Sequence, residues 1–246
     1  MSTPTGQFLV VVPALNEAQT VASVVTDVSR AYPSASVLVV DDGSTDSTSE
    51  EARSAGAVVA KHASNLGVGA AMRTGFRYAQ VIGATIVIQV DADGQHDVKQ
   101  ISTLIEALGD ADVVVGSRFL GSGDYVISRP RRMTIGLLSR AVSVPCRTRI
   151  TDATSGFRAT GHRGIALFAR YYPTEYLADT VESLALAGRA GLSVAEVPVV
   201  MRPRQGGRPS QGFVSGVLNL ARSAFVALQS MILRLPPGAH EIVEAA

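Results

Sequence analysis

Asp91-Ala-Asp93, with Gln95 two residues further on, follows the apolar run Thr85–Val90. Two carboxylates and an amide oxygen are hard donors, the kind that Mg²⁺ or Mn²⁺ takes. An ion held there would neutralise the charge that develops on a departing diphosphate. Asp41-Asp42 ends another apolar run, Val37–Val40. A carboxylate in that place accepts hydrogen bonds from ribose hydroxyls or a base N–H. The same stretch also suits the start of a helix, with Ser44 or Thr45 as N-cap. The remaining chemistry-bearing side chains are arginines, Arg118, Arg131 and Arg132 foremost. Their planar forks match phosphate oxygens. His62, His96, His162 and His240 are scattered and Cys146 is the single cysteine. Nucleophilic catalysis therefore has little support, and a disulfide framework or thiolate-rich zinc site is excluded. His96 lies in the Asp91 loop, as a support for the ligands or as a solvated turn residue.

The near-neutral charge, +1 over 246 residues, conceals a division. Residues 1–117 carry six basic and thirteen acidic side chains. Residues 118–246 carry sixteen basic side chains, all arginine, and eight acidic ones. The acidic half suits a metal and a ribose; the arginine half suits phosphates. Charged residues are 17% of the chain, below the roughly 25% of soluble domains, and mean hydropathy is +0.23. Such a chain leans toward an apolar partner.

The polar clusters need a scaffold, and the pattern supplies one. Phe8–Pro13, Val37–Val40, Ala57–Ala60, Thr85–Val90 and Asp112–Gly116 read as short buried strands. Helical patterns over about 17–31, 68–81 and 98–108, and a helix opened by the turn at 41–46, separate them. Alternation of this kind predicts an α/β domain with a mostly parallel sheet. Ligands bind such sheets beyond the carboxyl ends of the strands. Asn16-Glu17, Asp41-Asp42, Asp91-Ala-Asp93 and Ser117-Arg118 all fall there. Dinucleotide binding does not fit, because Pro13-Ala-Leu-Asn-Glu17 has no glycine where G-x-G-x-x-G belongs. Gly67-Val-Gly69-Ala-Ala-Met72 lacks the third glycine, and no P-loop lysine pattern exists.

Beyond residue 118 the spacing predicts a basic helix over 129–144, a polar turn over 152–158, a helix over 178–190 and a strand over 194–201. A basic, glycine-rich loop follows at 202–210. Residues 213–235 place Val214, Val217, Leu218, Ala221, Phe225, Leu228, Ile232 and Leu235 on one helical face. That fits a helix lying at a membrane interface, or equally one in a core or subunit contact. Arg222 argues against full spanning. The N-terminus lacks the basic region of a secretory signal, so a cytoplasmic protein is expected. The expected division is a domain over 1–210 and an amphipathic tail over 211–246.

Val12–Glu17, Val39–Asp46, Asn65-Leu-Gly67, Asp91–His96, Gly116–Phe119 and Asp152–Arg158, in this order, resemble the inverting glycosyltransferases of family 2. The resemblance spans about residues 7–210 and is greatest to the polyprenyl-phosphate group that includes dolichyl-phosphate mannosyltransferase. It implies a single GT-A domain, Rossmann-like, with a C-terminal amphipathic helix. It also implies roles. Pro13, Ala14, Asn16 and Glu17 would line the nucleotide pocket, Asp41 or Asp42 would meet the nucleoside, and Ala92 would lie beside it. Asp91, Asp93 and Gln95 would hold Mg²⁺ or Mn²⁺ and the diphosphate, Asp93 with a catalytic role. Arg118, with Arg131 or Arg132, would meet the acceptor phosphate. Arg202 and Arg204 would close over the donor. The implied partners are a UDP- or GDP-linked sugar, polyprenyl phosphate and the inner face of the cell membrane, with no nucleic acid. A homo-oligomer or a small membrane-protein partner is left open.

Two departures bear on the chemistry. An acidic pair usually supplies a base in this family, whereas here Asp179 and Glu182 stand apart. The glycine-rich loop ends Ser210-Gln211 where the mannosyltransferases have Ser-Lys, which leaves the donor open. A phosphomonoester with a second pKa near 6 is already an anion at neutral pH. It needs no base, whereas a sugar hydroxyl does. Abundant arginine and the absence of an obvious base favour a phosphate acceptor. The rivals are a transferase acting on a glycan or glycolipid hydroxyl, with Asp179 or Glu182 as base, and a non-catalytic nucleotide-sugar-binding subunit.

Overall fold

A computed structural model describes residues 8–121, 128–174, 179–202 and 235–246, with the side chains of Pro130 and Arg131 left out. The first half alternates strand and helix: β1 Phe8–Ala14, α1 Val21–Ala31, β2 Ser36–Asp41, α2 Thr48–Ser54, β3 Val58–Lys61, α3 Val68–Val81, β4 Ile86–Gln89, α4 Ile101–Ala107 and β5 Val113–Ser117. Then come α5 Arg129–Cys146, β6 Arg158–Gly161, α6 His162–Tyr171, α7 Asp179–Arg189, β7 Val194–Pro198 and a C-terminal helix, Ala239–Ala245.

The seven strands of the described residues form one sheet in the order β3-β2-β1-β4-β6-β5-β7. All neighbours are parallel except β6, which runs antiparallel to both β4 and β5. Alternation along each strand divides the core in two. Val10, Val12, Val39 and Ile88 face α1 and α4. Leu9, Val11, Leu38 and Val87 face the side covered by α3, α5, α6 and α7. This is the α/β domain with a mostly parallel sheet that the pattern predicts, with helices on both faces.

Some boundaries differ from expectation. Neither Ser44 nor Thr45 caps α2, because the 42–47 loop reaches out to the β1 loop before the helix begins. Asp46 instead accepts the Thr48 N–H at 3.0 Å, at the helix start. Residues 158–161, of which only Arg158 falls in the expected polar turn and the rest have no element assigned, form β6. Its sequence, Arg-Ala-Thr-Gly, holds no apolar run, and its burial comes from being wedged between β4 and β5. The C-terminal helix returns to the domain: Ala239 and Val243 are buried in the core, and the Arg163 guanidinium donates to the Val243 carbonyl. The amphipathic stretch expected over 213–235, and Arg204 with the loop to Ser210, lie outside the described residues, apart from Leu235. No described helix is long and apolar enough to cross a membrane.

Candidate functional site

The loops at the carboxyl ends of β1 and β2 are stitched together. Asn16, in the left-handed region at φ 56°, donates its N–H to Ser44 Oγ at 2.9 Å and accepts the Thr45 N–H on Oδ1 at 2.9 Å. The Glu17 N–H donates to Thr48 Oγ1. These bonds fix the Pro13–Glu17 segment as one rim of the crevice.

Asp41 and Asp42 are both buried, and both have protein partners. Asp41 accepts the Ser44 N–H at 2.7 Å and the Ser49 hydroxyl, with Lys61 Nζ 3.5 Å away. Burial pushes its pKa up, but the Ser44 and Ser49 hydrogen bonds and Lys61 outweigh that and leave it below the ordinary value. Asp42 accepts His62 Nδ1 at 2.7 Å and the N–H groups of Leu66 and Gly67 at 2.9 and 2.7 Å. Its carboxylate thereby shapes the Asn65-Leu-Gly67 loop. Asp41 thus closes its own turn, and Asp42 holds the neighbouring one.

Asp91 is different, its side chain 41% exposed. It stands at the carboxyl end of β4, between the loops after β1 and before β6. Gly156 makes its place: a methyl group there would lie 2.9 Å from both Asp91 carboxylate oxygens. The Asp91 N–H donates to His96 Nδ1 at 3.1 Å. In neutral His96 the other ring nitrogen, Nε2, therefore carries the proton, and it stands 3.6 Å from Asp91 Oδ2. His96 is buried and stacked on Phe157 at 4.8 Å, so it belongs to the support of Asp91 rather than to a solvated turn. Asp93 Oδ1 accepts the Gln95 N–H, which folds the loop with Gly94 at φ 73°. Among the described residues no three His, Cys, Asp or Glu side chains gather into a metal cage. Two carboxylates and an amide still fit Mg²⁺ or Mn²⁺, since such ions commonly take one or two carboxylates and complete their shell with substrate phosphates and water.

Arg202 does reach this loop. Its N–H donates to the Gln95 carbonyl at 2.8 Å, and its guanidinium donates to Asp97 Oδ1 at 2.7 Å.

On the far side, Arg118 does not stand as an open fork. Its Nε and Nη2 grip Asp152 at 2.6 and 2.8 Å, and Nη2 also donates to Thr154 Oγ1. Asp152 is fully buried, and Glu196 on β7 holds its turn by accepting the N–H groups of Thr151 and Asp152, each at 2.8 Å. Burial pushes the Glu196 pKa up. Arg132 is exposed on the first turn of α5.

Asp179 opens α7 and is 3% exposed. Among the described residues no donor reaches its Oδ2. Burial raises its pKa to about 6; the Arg158 charge opposes that rise and Asp91 adds to it. Glu182, one turn along, is half-buried. Sequence reasoning misses Arg158, Gly156 and Glu196 as parts of the site. Arg158 is buried and donates to the carbonyls of Ser155 and Ala153 and to Ser183 Oγ. A glutamate within the otherwise apolar Val194–Pro198 is the signal available for Glu196.

Comparison with known proteins shows the family and the fold. Residues 9–172 match the family described as glycosyl transferase family 2. An undecaprenyl-phosphate mannosyltransferase of Micrococcus luteus is 29% identical over 247 residues, covering 90% of this chain and 95% of that protein. A polyprenol monophosphomannose synthase of Mycolicibacterium smegmatis is 31% identical over 222 residues, covering 82% and 80%. Glucosyl-3-phosphoglycerate synthase from Mycobacterium tuberculosis, crystallised with Mn²⁺, UDP and phosphoglyceric acid, shares the fold with a TM-score of 0.69 at 21% identity, over 95% of this chain and 81% of that one.

Proposed function

This chain belongs to glycosyl transferase family 2, in the polyprenyl-phosphate group of GT-A glycosyltransferases, and on that basis we propose that it moves a sugar, with inversion, from a UDP- or GDP-linked donor to polyprenyl phosphate at the inner face of the cell membrane. The observation that carries the reading is Asp91: a carboxylate open to the crevice at the carboxyl end of a central strand, with Gly156 leaving it room. The names of the two enzyme relatives support the lipid phosphate.

In this reading the rim of Pro13, Ala14, Asn16 and Glu17, with Ala92, forms the nucleoside pocket, and Asp41 and Asp42 hold the turns that shape it. Asp91, Asp93 and Gln95 would hold Mg²⁺ or Mn²⁺, which when bound supplies positive charge against the diphosphate leaving group. Arg202 and Arg204 cover the donor. Arg118, oriented by Asp152, receives the acceptor phosphate together with Arg132 and its neighbour Arg131. A phosphate oxygen forms the new bond to the anomeric carbon as the bond to the nucleoside diphosphate breaks. The nucleophile is already an anion, so no side chain must remove a proton.

Asp179 favours a second reading. An acid with a pKa of about 6 and, among the described residues, an unpaired oxygen is suited to general-base work, which a sugar-hydroxyl acceptor would require. Glu182 is the alternative base. The test is to incubate the protein with polyprenyl phosphate and a panel of radiolabelled UDP- and GDP-sugars. The expected result is an acid-labile radioactive lipid with one donor. Label found only in hydroxyl-linked, acid-stable products would select the second reading.

A further inference from the structure

We propose that Glu196 is a positioning residue for Arg118, and that through it Glu196 sets how tightly the protein takes an acceptor phosphate. This rests on the reading of Arg118 as the group that meets that phosphate, and its own support is the turn between the two side chains. Four consecutive backbone N–H groups, those of Ile150, Thr151, Asp152 and Ala153, each donate to a side chain. Ile150 donates to Ser143 Oγ at 2.9 Å and Ala153 to Ser139 Oγ at 3.1 Å, both on α5. The middle pair donates to Glu196 on β7, Thr151 to Oε2 and Asp152 to Oε1, each at 2.8 Å. The Thr151 hydroxyl adds a third bond to Oε2, also at 2.8 Å. Hydrogen bonds to an ionised acceptor are the stronger kind, so the turn hangs chiefly on Glu196.

Two routes run from this carboxylate to Arg118. The first is Asp152, whose side chain accepts the Arg118 N–H at 3.1 Å and its Nε and Nη2 at 2.6 and 2.8 Å. The second is a chain of hydroxyls. The Thr151 proton is spent on Glu196, so in the 2.7 Å contact between Thr151 Oγ1 and Ser117 Oγ it is Ser117 that donates. Ser117 Oγ in turn accepts the Phe119 N–H at 3.2 Å. Glu196 thus fixes the residues on both sides of Arg118 as well as its carboxylate partner. A guanidinium matches a phosphate through a planar fork, so a tilt of this frame spoils the fit without touching the charge. Glu196→Gln keeps the size but turns one acceptor oxygen into an amide donor. Whichever way the amide lies, an N–H then faces the Asp152 N–H or the two Thr151 donors. Charge alone predicts the opposite sign: removing a negative group near the site would tighten the binding of an anion.

The experiment is calorimetric titration of the full chain with a short-chain, water-soluble polyprenyl phosphate, with the donor KM measured beside it. Glu196→Gln should weaken phosphate binding about tenfold while the donor KM moves less than about twofold. In an Arg118→Lys background, which keeps the charge but not the fork, the same substitution should change phosphate binding less than about twofold. A merely structural role would give the same loss in both backgrounds. Thr151→Val keeps the shape, breaks the hydroxyl chain and should weaken binding about threefold. Unchanged or tighter binding by a folded Glu196→Gln would overturn the proposal, as would equal losses in the two backgrounds. Should Glu196→Gln fail to fold, a silent Thr151→Val would overturn it. Phosphate binding with this coupling but no glycolipid from any donor would leave the positioning role standing and overturn the proposed function instead. A wild-type protein that does not bind the phosphate would overturn both.

Discussion

The two charged regions of this molecule use their charges differently. Around β1, β2 and β3 the carboxylates are consumed by the fold. Asp41 closes its own turn, Asp42 holds the 62–67 loop and Asp46 bridges to Ala18. Asp91, by contrast, is left open to the crevice. On the β5 side the arginines separate into two groups: Arg118, Arg158 and Arg163 are committed to buried or half-buried partners, while those of α5 and the following turn line an exposed groove. Each side therefore has a built frame and a set of charges facing outward. The frame should respond to mutation in stability, and the outward-facing groups in turnover or binding.

The largest effect is expected at the carboxylates of the loop after β4. Asp93→Ala should lower turnover about a hundredfold or more, on the order of 3 kcal/mol of barrier, with melting little changed. Initial rates with excess donor, with and without chelator, measure it. Near-normal turnover, or full activity in excess chelator, would remove the metal-dependent mechanism. Gly156→Ala tests the same loop from the other side. Its methyl group would press on both Asp91 oxygens at 2.9 Å. Misplacement on this scale costs about a hundredfold in rate. The expected signature is a kcat loss with the fold retained; unchanged kcat would mean that the position of Asp91 is not critical.

Asp152→Ala is the counterpart in the frame. It leaves the Arg118 guanidinium, 10% exposed, without its buried partner. Breaking one side of a buried pair costs about 3–5 kcal/mol, which in a chain of this size lowers Tm by roughly 10 °C. Thermal melts measure it. If Arg118 also serves the acceptor phosphate, the KM for polyprenyl phosphate rises while that for the nucleotide sugar does not.

The difference between frame and outward-facing charge is also what separates the legible from the illegible. The strand-end clusters can be read because buried parallel strands are continuous apolar runs, and the polar residues just past each run share one edge of the sheet. Val68–Val81 likewise shows its helix by spacing alone. Nothing local in Arg158-Ala-Thr-Gly161 signals a strand, because its neighbours β4 and β5 lie far away in sequence. The partner of Arg118 is 34 residues distant, so an arginine that looks available to a phosphate in sequence turns out to be gripped by Asp152. Gly156 can be seen as part of a motif, but its reason, the room it leaves Asp91, exists only in three dimensions.

The smallest effect is expected at Asp179, the group on which the two acceptor readings divide. Its pKa is raised from an ordinary value near 3.9 to about 6 by burial, with Asp91 adding to the rise against Arg158. The folded state thus holds the proton more tightly than the unfolded state does. The associated stability is fully present below about pH 4 and is lost as pH rises through about 6. Asp179→Asn removes the ionisation, so its Tm relative to wild type should improve between about pH 4 and pH 7 and then level off. A pH profile of activity alone cannot separate the readings, because the second ionisation of a lipid phosphate also falls near 6. The substitution can. If the acceptor is a phosphate, the acid limb belongs to the substrate. Asp179→Asn then keeps that limb and loses far less than the 10²–10⁴-fold typical of a missing general base. If the acceptor is a hydroxyl, the limb belongs to Asp179, and the variant loses both the limb and most of its turnover at saturating donor.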